Sequence, residues 1–169
     1  MVFTLFFCQV ALETVITVVT EKFFGFSVRE NTLVYMFGAV EALVSFMGIA
    51  LLGGRVRDTT LQIFGWSLMI TALIWLLVVM PDFEEGNLVH LVYFLLGLFV
   101  LFLGIPIISM ATVSFSTKIL SSETQGMGEG IRRVLICLGV ILGSNWAGAT
   151  IQDPHVFLGV VVAMLIING

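Results

Sequence analysis

The sequence predicts an all-α integral membrane protein, with six transmembrane helices forming one bundle. Three observations predict it. Of the 169 residues 59% are hydrophobic and 11% charged, whereas a soluble domain is roughly a quarter charged. Mean hydropathy is +1.15. Apolar runs also recur at about the 20 residues a helix needs to cross a bilayer core. The lipid bilayer is therefore the first expected partner. With a net charge of −4 and no basic run, nothing points to nucleic acid.

The first run, 2–20, lacks a basic leading segment and an A-x-A cleavage site, so it reads as a span and not a removable signal. Runs 33–52, 61–80, 88–110 and 131–150 follow. A sixth, 155–167, is somewhat short, which reads as a span cut near its far end and the chain as a fragment. Gly, Pro, Asn and Asp punctuate the breaks between them. Pro154 suits the first turn of the last helix, and Pro106 should kink the fourth span or end its regular part. Spans two and five are both rich in small residues, so a three-plus-three repeat is conceivable.

Basic residues set the orientation. Arg55, Arg57, Lys118, Arg132 and Arg133 fall after spans two and four or at the edge of span five. The alternate loops hold only Lys22 and Arg29, beside Glu21, Glu30, Asp82, Glu84, Glu85 and Asp153. The positive-inside rule places the first set, and with six spans both termini, in the cytoplasm.

Several polar residues lie at membrane depth. Glu13 shares a helical face with Gln9, Thr17 and Thr20. Glu41 shares one with Gly38, Ser45 and Gly48. A carboxylate at a helix centre costs roughly 2.5–3.5 kcal/mol on insertion scales. Two at similar depth imply water, a cation or a bound proton, so Gln9, Glu13, Thr17, Glu41 and Ser45 form a candidate substrate or proton pathway. Asn145, further along span five, could line the same cavity. The competing reading is packing glue between helices. Gly139, Gly143 and Ala147, spaced by four, read as a helix-packing face. Trp146 reads as an interface anchor. Glu129 can pair with Arg132 and Arg133 as a helix-end salt bridge or a gate.

Cys8 and Cys137 lie in apolar runs and read as small buried hydrophobes, without a disulfide framework or metal spacing. No metal cluster, cofactor motif or nucleophile–base set occurs. "GMGEG" lacks a preceding strand and a P-loop lysine, so an enzyme is not expected.

Between spans two and three the chain reads Gly54-Arg55-Val56-Arg57-Asp58. Gly-x-x-x-Asp at a cytoplasmic turn resembles the loop motif of the major facilitator superfamily, which recurs between its eighth and ninth helices. Thr59-Thr60 stand where basic residues and a glycine are usual. The stretches "ALETVIT", "VEALVSFMGIALL" and "STKILSSETQG" look like the corresponding parts of a lysosomal subgroup of that superfamily. The resemblance covers almost all of the chain and aligns it with helices seven to twelve. One departure is clear. Where the subgroup has Arg-Ile-Leu-Gly-Pro, this chain has Val140-Ile141-Leu142-Gly143-Ser144.

The resemblance implies one bundle of a twelve-helix transporter, with a site at the midplane between two bundles that rock against each other. It implies a small-molecule or ion substrate, a lysosome-like membrane, and a partner that is either an N-terminal six-helix half or a second copy. Gly54, Arg55, Arg57 and Asp58 would form a cytoplasmic hinge. An ion channel, and a truncated or non-transporting membrane partner, are the alternatives.

Overall fold

The computed structural model describes residues 1–52, 55–121, 123–150 and 152–168. Its elements are α1 (Val2–Phe24), α2 (Val28–Leu52), α3 (Asp58–Val79), a 3-10 turn (Met80–Asp82), α4 (Leu88–Ile119), α5 (Gln125–Thr150) and α6 (Pro154–Asn168), with no strand among the described residues. Five helices are long and apolar enough to cross a membrane, while α6, at 15 residues, is shorter.

Helices start and stop where backbone groups find partners. Gly25 ends α1 in the left-handed conformation (φ 63°), its N–H donating to the Glu21 carbonyl and that of Phe26 to Thr20. Two residues later Ser27 and Glu30 start α2 with one half of a capping box. The Ser27 backbone N–H donates to the Glu30 carboxylate at 2.6 Å, and its hydroxyl donates to the same oxygen. Asn87 caps α4 by accepting from the Val89 N–H at 3.0 Å. Pro106 does not end its helix, contrary to one of the two sequence expectations. It lies buried inside α4, which runs 32 residues.

The core lies where α1 packs on α5 and α3 packs on α4. Both seams depend on glycine. A Cβ on Gly139 would stand 2.8 Å from the Phe3 carbonyl oxygen, and one on Gly143 would meet the Phe7 carbonyl oxygen. These helices therefore touch backbone to backbone, with Ala147 completely buried one turn on. Across the other seam a Cβ on Gly104 would stand 3.1 Å from the Gly65 carbonyl. Gln62 and Thr112 add a buried hydrogen bond there at 3.2 Å.

The remaining packing follows a pattern. α2 packs on α4, α6 packs on α3 and α1, and α1 touches α4. Exchanging α1, α2, α3 for α4, α5, α6 turns α1 on α5 into α4 on α2, and α3 on α4 into α6 on α1. The α3–α6 and α1–α4 contacts map onto themselves. The match is one of pairing and not of extent: α1 and α6 touch only slightly where α3 and α4 form a full seam, and contact of α5 with α6 has no comparable α2–α3 counterpart.

The two ends of the bundle differ in chemistry. At one end Val2, Thr117, Gln125 and Arg132 surround a single cavity, and Lys118 reaches Asp58 at the start of α3. At the other, Phe83 meets Phe23, Phe24 and Phe94 and stacks on His90. The Gly86 N–H (φ 75°) donates to the Phe23 carbonyl, tying this loop to the end of α1.

Candidate functional site

Helix α2 has an inverted pattern. Among its described residues only Asn31 and Ser45 are buried, at 7% and 9% exposure, and both are polar. Most of its described Leu, Val, Met and Phe side chains are exposed, Val34 being half-buried against the core, as expected of a helix with lipid on one face and polar partners on the other. Those polar partners belong to α1, while α4 meets α2 with apolar side chains.

From α1, Gln9 donates to the Glu13 carboxylate at 2.9 Å. The Tyr35 hydroxyl of α2 donates to the Glu13 backbone carbonyl at 2.7 Å and lies 3.2 Å from the Thr17 hydroxyl. One turn on, the fully buried Thr20 hydroxyl lies 2.5 Å from Asn31 Oδ1. The Gln9–Glu13–Thr17–Thr20 face of α1 thus meets α2 directly, through Tyr35 and Asn31. A cavity of about 250 Å³ opens beside it, lined by Gln9, Glu13, Tyr35, Ala39, Phe102 and Pro106.

Glu41 sits elsewhere. It lines a second cavity of about 370 Å³ between α2 and α4, with Val34, Phe37, Leu98, Phe99 and Phe102. Gly38 and Phe102 border both cavities. The Phe102 ring presses so closely on Gly38 that a Cβ there would stand 2.9 Å from it. This contact divides the two acidic pockets. Glu41 Oε1 and Ser45 Oγ, one turn apart, are buried without a hydrogen-bond partner among the described residues. A buried polar atom left so costs about 1–3 kcal/mol, which makes this place suited to an incoming ligand, water or proton.

The other sequence candidates separate. Asn145 does not join the carboxylates. It is exposed on α5 and donates to the Ile141 carbonyl of its own helix at 2.6 Å, because the small-residue face of α5 is the one turned to α1. Trp146 is not turned fully outward. Its ring packs half-buried against the core, with Nε1 buried and unpartnered among the described residues. Cys8 is buried, but Cys137 is exposed, on a stretch of α5 that the bundle leaves uncovered.

Of the loop motif, Gly54 lies outside the described residues. Arg55 and Arg57 are exposed and make no ion pair among those residues. Asp58 is the first residue of α3. It accepts from Ser114 at 3.0 Å and from Lys118 at 2.6 Å, so it clamps α3 to α4 and is not a free hinge charge. Glu129 accepts two hydrogen bonds from Arg132, at 2.7 and 2.5 Å, and lies 3.4 Å from Arg133 Nε, all within the first turns of α5.

Tyr35, Asn31 and Phe102 are the residues that sequence reasoning missed. A signal existed for the first two. Ser27-x-x-Glu30 is a capping box, and starting α2 there places Asn31 and Tyr35 on the helix. Nothing in the sequence singles out Phe102 among 15 phenylalanines.

No family model matches the chain, and no curated protein or solved structure matches it either.

Proposed function

We propose that the bundle is the C-terminal half of a major facilitator-type secondary transporter. It moves a small solute across a lysosome-like membrane, coupled to protons, with both termini in the cytoplasm. A second six-helix half, N-terminal or a copy, closes the path. The observation that carries this reading is the exchange pattern of helix packing. Two inverted triplets are the architecture of transporters that bind at the midplane, and which helices pair here follows that exchange. The two acidic cavities add support, because both open along α2 against α4 of the second triplet, and the Glu13 cavity reaches α1 of the first as well.

In this reading Glu13 is the proton-carrying group. Gln9 orients its carboxyl, and Tyr35 and Thr17 hold the α1 turn behind it. Protonation removes a charge from the cavity and so biases the bundle between its two arrangements. The Asp58–Lys118 and Glu129–Arg132 pairs hold the opposite end.

The test is uptake into proteoliposomes by the protein carrying this bundle, at about pH 5 and about pH 7, against a metabolite panel. Uptake that depends on pH is expected, with Glu13→Gln losing that dependence. A pH dependence unchanged in Glu13→Gln sinks the coupling role. Steady single-channel currents without turnover would favour a pore.

A further inference from the structure

The Glu41 cavity has a composition that names its ligand. Its lining is almost entirely apolar and strongly aromatic, and its charged residues are both acidic, Glu30 and Glu41. The two differ in what they have left to offer. Glu30 is occupied by Ser27, through backbone and hydroxyl. Glu41 turns a buried oxygen to the cavity wall with no partner among the described residues, and neighbouring Ser45 is in the same condition.

We propose that this cavity binds a lipophilic organic cation, an amine with an aromatic or alkyl body, entering between α2 and α4. The ammonium group supplies what the buried Glu41 oxygen lacks, a charged donor. Phe37, Phe99 and Phe102 present ring surfaces of the kind that attract a cation. The body lies along Leu95 and Leu98 towards Glu30, which is 11 residues, about 16 Å, up the helix. About 370 Å³ falls inside the roughly 300–1,000 Å³ of small-molecule pockets.

An inorganic cation suits the cavity less. Among the described residues no second carboxylate or hydroxyl shares a bond with Glu41, while hard cations require roughly six oxygen ligands. The site rests on the membrane setting of the preceding reading and not on transport. The Glu13 pocket lies across the Gly38–Phe102 contact, so either pocket can fail alone.

The test is photolabelling of the full chain in nanodiscs. One probe is a tertiary aryl-alkyl amine carrying a diazirine, and the control is its uncharged carbon isostere. Peptides spanning 33–41 and 95–102 should take up the amine about tenfold more than the isostere. Glu41→Gln should remove that excess and leave isostere labelling unchanged, which also reports that the variant is folded. Glu30→Gln should change amine labelling less than twofold. If Glu41→Gln does not fold, the contrast between amine and isostere in the unsubstituted chain decides. Equal labelling by the two probes overturns the proposal, as does amine labelling that survives in folded Glu41→Gln. Because no transport is read, these outcomes are separate from those of the proteoliposome experiment.

Discussion

The α1–α5 seam and the α2–α4 seam are both made by glycine, yet they are opposite structures. Along α1–α5, Gly139 and Gly143 let two backbones touch, and nothing lies between them. Along α2–α4, Gly38 admits only a ring, Phe102, and the space to either side remains open with a carboxylate in each part. Two glycines one turn apart zip a pair of helices. A single glycine against a large side chain makes a pivot flanked by cavities. Lipid gives little drive to close such gaps, because tails are as apolar as leucine and packing must do the work alone.

The comparison can be broken most severely at Gly143. Gly143→Val should cost about 1–3 kcal/mol by forcing the backbones apart, seen as a lower unfolding midpoint in detergent. Gly148→Ala on the same helix, where an added Cβ meets nothing within 4 Å, should be neutral or stabilise by roughly 0.5–1 kcal/mol. Equal losses in the two would refute the idea of a zipped seam.

At the open seam the expected sign reverses. Ser45→Ala removes a buried hydroxyl without a partner among the described residues and should stabilise the chain by about 1 kcal/mol, measured by the same unfolding. A loss of stability would mean that the hydroxyl is satisfied. Tyr35→Phe should cost about 0.6 kcal/mol, the typical value for an interhelical hydrogen bond in a membrane, again read from the unfolding midpoint. Smallest of all is Lys118→Ala. Amide exchange in the last turn of α4 should quicken while the melting temperature of the bundle stays unchanged.

The sequence makes some of this legible and hides the rest for physical reasons. Six apolar runs mark the helices, because length and hydropathy are properties of a single segment. The Gly139–Gly143–Ala147 face is legible too, since one helix carries the whole pattern. Helix starts are less visible when judged by hydropathy. The polar residues at 28–32, 58–60 and 125–130 resemble loop, and only at the first of these does a cap, Ser27 with Glu30, mark the start of the helix. Glu13 and Glu41 stand out in the sequence as a pair by depth. Their separation by Phe102 depends on how α4 meets α2, which no local pattern contains. Asn145 misleads for the same reason: its polarity is visible, but the side of α5 that faces the bundle is set by the smaller residues beside it.

Unbroken through Pro106, α4 is one rod of 32 residues, about 48 Å long against a hydrocarbon core of about 30 Å. In a bilayer its ends would therefore stand clear of the hydrocarbon, one in the aromatic cluster at His90 and Phe94, the other at Lys118 and Asp58. Packed along its length on α3, at Gly104 and Thr112 and through Lys118, it forms with α3 a single lever arm. Tilting α4 by about 10° about its centre would swing each end by about 4 Å in opposite directions. The fulcrum is the ring of Phe102 on Gly38, and Pro106, one turn away, has no N–H to offer the Phe102 carbonyl. The helix is thus least stiff where it bears on its neighbour, and a ligand lodged on either side of that bearing would set the angle of the arm.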